Sequence, residues 1–88
     1  MIEAIDIRKS MRITHSKLDP DISRDIEAAR LDMSRVGINT ESGDNALINK
    51  AIELYCKAQF DYLGRGSEFM KNYESLRDSL SLAGEYHV

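Results

Sequence analysis

Apolar residues recur along this chain at helical spacing, in four segments separated by polar stretches. In the second segment they follow one another at intervals of four and three residues, which places them on one helical face. They are Ile22, Ile26, Ala29, Met33 and Val36. The fourth segment repeats this spacing with Phe69, Tyr73, Leu76, Leu80 and Ala83. We therefore predict helices at about 2–12, 20–36, 45–63 and 67–83, joined by short loops into a small all-α bundle.

Residues that favour helix caps set the predicted ends. Asp and Ser side chains accept hydrogen bonds from the free N–H groups of a first turn, and Gly adopts the left-handed conformation that ends a helix. We expect N-caps at Asp19, Asp44 and Ser67, and C-terminal stops at Gly37 and Gly84.

Charged residues lie mainly on the predicted outer faces, three or four positions apart, where opposite charges can pair. Three such pairs are expected: Glu27–Arg30, Asp32–Arg35 and Glu53–Lys57. The third helix differs from the others because its apolar residues cover more than one face. A helix of this kind is central to its domain or contacts a partner through its second face.

Length and composition indicate one folded domain over residues 1–88, with 84–88 as a short tail. A chain of 88 residues is at most one domain and cannot hold separate cofactor and substrate domains, which excludes most multi-substrate enzymes. A hydrophobic content of 42% is too high for a disordered tail, and one Pro with five Gly is too few for a turn-rich β-sandwich.

No arrangement of reactive side chains is evident in the sequence. Cys56 lies in the most apolar helix, where a buried structural thiol is expected rather than a nucleophile. The two histidines, His15 and His87, stand at opposite ends of the chain and lack the spacing of metal ligands. We predict no catalytic residue, no cofactor and no metal site, and hence a protein that is not an enzyme.

The charge balance bears on partners. The net charge is −3, whereas a protein that neutralises phosphates of nucleic acid normally carries a basic excess. The lone cysteine favours a reducing compartment, and neither a signal peptide nor an apolar run of membrane-spanning length is recognisable. These features predict a cytoplasmic protein that does not enter a membrane. A small helical regulator that binds nucleic acid or another protein remains an alternative function.

Several stretches carry a resemblance to a known family. They are residues 26–32, the third helix at 51–60, and the last helix with its ending at 69–86. The sequence resembles the small head–tail connector (adaptor) proteins of long-tailed bacteriophages and prophages, often described as DNA-packaging proteins. The likeness covers nearly the whole chain. It is nearest to the version found in phages of Gram-positive bacteria, through Tyr-Cys-Lys-Ala at 55–58 and Leu-Ser-Leu-Ala-Gly-Glu-Tyr at 80–86.

The resemblance implies a structural role in the virion neck, after assembly in the host cytoplasm. Such a protein would be one subunit of a ring, commonly of about twelve copies, that docks below the portal and extends the DNA channel. The ring would offer a platform to a stopper or tail-completion protein, and DNA would pass without sequence-specific binding. A monomer in solution is compatible with this role, because a template can drive assembly.

We expect this subunit to contact its partners through the corner between the last two helices and through the tail. Aromatic and Arg side chains are enriched at interfaces, which singles out Tyr62, Arg65 and Phe69. By position, the family's portal-directed C-terminal segment corresponds here to Gly84, Glu85, Tyr86, His87 and Val88.

Overall fold

The computed structural model describes residues 2–40 and 45–83, which form four helices. They are α1 (Ala4–Ser10), α2 (Asp19–Arg35), α3 (Ala46–Gln59) and α4 (Gly66–Leu82), with a short 3₁₀ turn at Tyr62–Gly64 before α4. The main packing contacts run in chain order, with α1 on α2, α2 on α3, and α3 on α4. The described residues contain no β-strand. The predicted all-α bundle of four helices is confirmed.

The core lies where α2, α3 and α4 meet, and α1 adds Ile7 to it. The predicted stripe of α2 is confirmed, since Ile22, Ile26, Ala29 and Met33 are buried. In α4, by contrast, the stripe is only partly covered: Tyr73 and Leu80 are buried, while the other positions are half-buried. The largest fully buried side chains are Tyr73, Ile7, Ile22, Met33, Ile38, Ile52 and Cys56.

The predicted end of α2 is also confirmed. Gly37 has a φ of 88°, in the left-handed region. Its N–H donates to the Ser34 carbonyl at 3.0 Å, and the Ile38 N–H donates to the Met33 carbonyl at 3.0 Å. The Ile38 side chain is fully buried. These paired bonds and the apolar contact are the features of a glycine-type helix end.

The three predicted N-caps are wrong. Leu18, in a helical conformation, precedes α2, so Asp19 lies inside the first turn, where it accepts from Arg8 Nε at 2.9 Å. Asn45, not Asp44, caps α3, because its Oδ1 accepts from the N–H groups of Leu47 at 2.9 Å and Ile48 at 3.2 Å. The α4 cap is Arg65 rather than Ser67.

Two helices are shorter than predicted because non-glycine residues adopt left-handed conformations. Arg12 has a φ of 58° and turns the chain after α1, which ends at Ser10 rather than near residue 12. Asp61 and Leu63, with φ values of 48° and 57°, turn the chain after α3, which ends at Gln59 rather than near residue 63. The predicted stop at Gly84 and the tail lie outside the described residues.

Candidate interaction surface

Three of the predicted contact residues come together where α3 turns into α4. The ring centroids of Tyr62 and Phe69 are 6.2 Å apart in a tilted arrangement. The guanidinium carbon of Arg65 lies 6.0 Å from the centre of the Phe69 ring. This is within the distance at which a cation is attracted to an aromatic face. The structure therefore places all three side chains at the predicted corner, and their role as partner contacts stays a prediction.

Lys57 joins this group, although the sequence interpretation did not include it. Its Nζ lies 5.5 Å from the centre of the Tyr62 ring and 5.8 Å from that of Phe69. It also stands 4.0 Å from Glu53 Oε1, the pair expected along α3. The ring contacts cross the turn between two helices, so helical spacing could not reveal them. We call Lys57, Tyr62, Leu63, Arg65, Glu68 and Phe69 the α3–α4 corner.

Leu63 is the most unusual residue of the α3–α4 corner. Its side chain is 71% exposed and its φ is 57°. A left-handed conformation costs an L-residue about 1–2 kcal/mol, and exposed apolar surface brings no burial free energy in return. Leu63 therefore carries a conformational cost that burial of its side chain does not offset in the isolated chain. The sequence interpretation missed it because it placed Leu63 inside the third helix.

The turn that exposes Leu63 is tightly packed. Asp61 Oδ1 accepts a hydrogen bond from the N–H of Gly66 at 2.7 Å. A Cβ atom on Gly66 would lie 2.6 Å from that oxygen and 3.0 Å from the Ala58 carbonyl oxygen. Only glycine allows this approach, because a Cβ would collide with both atoms. The start of α4 is thereby held against the end of α3, and the corner has a defined shape.

Arg65 also forms the one bidentate ion pair within the described residues. Its Nε and Nη2 donate to the two carboxylate oxygens of Glu68 at 2.8 and 2.7 Å. These hydrogen bonds lower the pKa of Glu68 and raise that of Arg65. Both side chains are 55% exposed, so the pair is open to solvent and to a partner. Exposed pairs of this kind contribute little to stability, typically below about 1 kcal/mol.

A second polar cluster, the α2–α4 junction, consists of Asp32, Arg35, Tyr73 and Arg77. Asp32 Oδ2 accepts from the Tyr73 hydroxyl at 2.6 Å and from Arg77 Nη1 at 3.0 Å. Asp32 Oδ1 accepts from Arg35 at 2.7 Å, as the sequence predicted. Partial burial disfavours the charged carboxylate, but the hydrogen bonds from Tyr73, Arg35 and Arg77 outweigh it and lower the pKa of Asp32 to about 2. The junction fastens α2 to α4.

Cys56 is fully buried, which confirms the expectation of a structural thiol. Burial raises its pKa to about 12, and the charges of Asp25 and Glu53 add to the effect. The thiolate is the nucleophilic form, so Cys56 is held in its unreactive state. His15 is exposed in the loop before α2, and His87 lies outside the described residues. No group of three or more metal-ligating side chains gathers within residues 2–40 and 45–83.

A groove of about 510 Å³ lies between α1 and α2. Its lining combines apolar Ile5 and Ile26 with charged Glu3, Glu27 and Arg30. The expected Glu27–Arg30 ion pair is not found there: Arg30 Nε is buried and has no hydrogen-bond partner among the described residues. A buried donor without an acceptor costs free energy, typically about 1–3 kcal/mol. We call this site the α1–α2 groove.

The chain matches no protein-family model, no curated protein and no solved structure. Over the part of the chain that the structure describes, no helix combines the length and apolar character needed to cross a membrane. The predicted contact residues Gly84, Glu85, Tyr86, His87 and Val88 lie outside the described residues. The α3–α4 corner is therefore the candidate site that can be described in atomic terms.

Proposed function

We propose that this chain is a structural subunit of the head–tail connector ring of a long-tailed bacteriophage or prophage. In this role it docks below the portal, extends the DNA channel and supports the stopper or tail-completion protein. The proposal rests on the sequence resemblance together with the α3–α4 corner. It assigns the chain a binding function and no chemistry.

The observation that carries the proposal is the state of Leu63. Strained backbone persists where the surrounding structure fixes it, and such positions are concentrated at functional sites. Here a left-handed leucine with 71% of its side chain exposed caps a corner that also displays Tyr62 and Phe69. A contact with a protein partner would bury this leucine and recover the free energy that the isolated chain forgoes.

The neighbours of Leu63 suit a protein partner. Aromatic and Arg side chains are enriched among the residues that dominate binding free energy. The close approach of Gly66 to Asp61 fixes the turn, so little conformational entropy is lost when a partner binds. A small helical domain with such a corner can serve as a rigid spacer between larger assemblies.

The mild acidity of the chain supports a place beside a DNA channel. A net charge of −3 disfavours retention of passing phosphates, whose binding by proteins depends on Lys and Arg. Sequence-specific regulators, by contrast, generally carry a basic face. The regulator alternative therefore predicts DNA binding that weakens steeply with salt, whereas the connector predicts none.

The proposal is tested by native mass spectrometry of this chain co-expressed with the portal protein of its own phage or prophage. We expect about twelve copies on one portal ring. The Leu63→Asp variant should lose most of this occupancy. Leu47→Asp is the matched control, because Leu47 is 46% exposed in the first turn of α3, at the other end of this helix from the corner, and its substitution should leave occupancy unchanged.

Three results would overturn the proposal. One is an intact portal ring that carries no copies of the folded chain. Another is an equal loss of occupancy in the Leu63 and Leu47 variants, which would show that the corner is not the contact. The third is salt-sensitive binding of free duplex DNA by the chain alone, which would favour the regulator.

A further inference from the structure

The α3–α4 corner and the α1–α2 groove are two separate surfaces that share no residue. The helices pack in chain order, so the groove belongs to the first pair and the corner to the last pair. A ring needs two different patches on each subunit, one for each neighbour. Two separate surfaces meet this requirement, because a contact between the groove of one copy and the corner of the next leaves the other surface of each copy free.

The lining of the groove fits the corner in chemical character. Its volume of about 510 Å³ lies within the roughly 300–1,000 Å³ typical of sites that enclose a ligand. Ile5 and Ile26 give it an apolar side, and Ile5 is 41% exposed. Leu63 and Phe69 are the apolar side chains that the corner presents.

Each of the two surfaces carries an acidic and a basic residue three positions apart, and the order of the two charges is reversed between the surfaces. The groove presents Glu27 followed three residues later by Arg30, and the corner presents Arg65 followed three residues later by Glu68. The two pairs lie on α2 and at the start of α4 with their signs in reverse order. Side by side in parallel, these segments would bring Arg65 to Glu27 and Glu68 to Arg30.

Exchanging the ion-pair partner of Glu68 and Arg65 for residues of a second copy should cost little free energy and should favour this particular contact. The Arg65–Glu68 pair is half-exposed, so opening it forfeits little free energy. In return, the Arg30 guanidinium, whose buried Nε lacks an acceptor in the isolated chain, gains a carboxylate for its remaining N–H groups.

We infer that the α1–α2 groove receives the α3–α4 corner of a second copy of this chain. Leu63 enters between α1 and α2, Arg65 binds Glu27, and Glu68 binds Arg30. This inference rests on the proposed ring and names its lateral contact. The same head-to-tail contact repeats around the ring until it closes.

Variants with one surface blocked provide the test. Leu63→Asp blocks the corner and leaves the groove intact, whereas Glu27→Arg blocks the groove and leaves the corner intact. Neither variant can form a ring by itself. In a mixture, the intact corner of the Glu27→Arg variant can still bind the intact groove of the Leu63→Asp variant. Both positions are exposed, so the variants should fold, which circular dichroism and the dispersion of amide resonances would verify.

We would titrate ¹⁵N-labelled Leu63→Asp protein with unlabelled Glu27→Arg protein up to about 1 mM, an effective concentration that a template ring can supply. Amide shifts should saturate at one to one and map to the groove around Ile5, Ser23, Glu27 and Arg30. The matched control is a titration of the same labelled protein with unlabelled Leu63→Asp protein, in which both corners are blocked. Its affinity should be at least about tenfold weaker than that of the Glu27→Arg variant.

The inference is overturned if the mixture shows no shifts, if the shifts map elsewhere, or if the control produces them equally. This outcome is separable from the portal experiment. Portal occupancy without groove shifts would leave the connector standing and remove only this lateral contact. Groove shifts without portal occupancy would establish self-association and overturn the connector.

Discussion

The α2–α4 junction and the α3–α4 corner contain the same kinds of residue but differ in burial and in the sequence separation of their contacts. Each has at least one aromatic ring, Arg and a carboxylate, yet Tyr73 of the junction is 1% exposed whereas Leu63 of the corner is 71% exposed. The junction joins residues 41 and 45 positions apart, Asp32 with Tyr73 and with Arg77. The Arg65–Glu68 pair of the corner spans three positions. Residue type alone does not separate a buried stabilising cluster from an exposed surface cluster; burial and sequence separation do.

The largest contrast should come from truncating one aromatic ring in each region. Tyr73→Ala should cost about 3–5 kcal/mol of unfolding free energy, because it leaves a cavity among α2, α3 and α4. Phe69→Ala, at a half-buried ring, should cost about 1 kcal/mol. Chemical denaturation followed by circular dichroism measures both. Equal losses would contradict the division into a stabilising junction and a binding corner.

The charge of Asp32 should matter next, and in a pH-dependent way. Its pKa is about 2 in the folded chain against an ordinary value of 3.8, so folding favours the deprotonated form. The stabilisation is fully present above about pH 4 and is lost as the pH falls towards 2. After allowance for partial exposure of the carboxylate, its size is about 1–2 kcal/mol.

This dependence can be measured by comparing the unfolding free energy of the wild type and Asp32→Asn between pH 6 and pH 2.5. We expect the two curves to converge at the acid end. Curves that stay parallel over the whole range would show that the carboxylate has no special stabilising role in the junction.

Glycine substitutions should give effects of opposite sign in the corner and on α2. Leu63→Gly relieves a left-handed leucine and should raise the unfolding free energy by about 1 kcal/mol. Leu31→Gly, at an exposed helical position, should lower it by about 1 kcal/mol. Thermal and denaturant unfolding would compare the two variants. A corner that evolved for stability would give the same sign at both positions.

The smallest effect should come from the exposed carboxylate of the corner. Glu68→Gln removes one partner of an ion pair whose two side chains are 55% exposed, so the unfolding free energy should hardly change. The same variant should weaken pairing between copies in the titration described above. A loss of stability as large as that of Asp32→Asn would erase the distinction between the two regions.

The sequence could predict features that depend on neighbours a few positions apart. The apolar stripe of α2, its end at Gly37 and the Asp32–Arg35 pair all follow from local spacing. The clustering of Tyr62, Arg65 and Phe69 was also within reach, since they lie within eight positions.

The errors have common physical causes. The end of α3 was misplaced because Asp61 and Leu63 adopt left-handed φ, and leucine, unlike glycine or aspartate, gives no sign of such a turn in a sequence. Asp19 was taken for a cap because its attraction to Arg8 on α1 is a tertiary contact. The Tyr73 and Arg77 bonds to Asp32, likewise, exist only once α2 and α4 have docked.

The buried thiol of Cys56 has a practical consequence for anyone who wishes to watch this protein at work. At pH 8, a pKa of about 12 leaves on the order of one thiol in ten thousand ionised, against about one in four for an exposed cysteine of ordinary pKa. Maleimide dyes should therefore not react with Cys56 and should label only a cysteine that is introduced at an exposed position. Fluorescent copies can be prepared without removing the native residue, and energy transfer between labelled copies can report assembly as it happens.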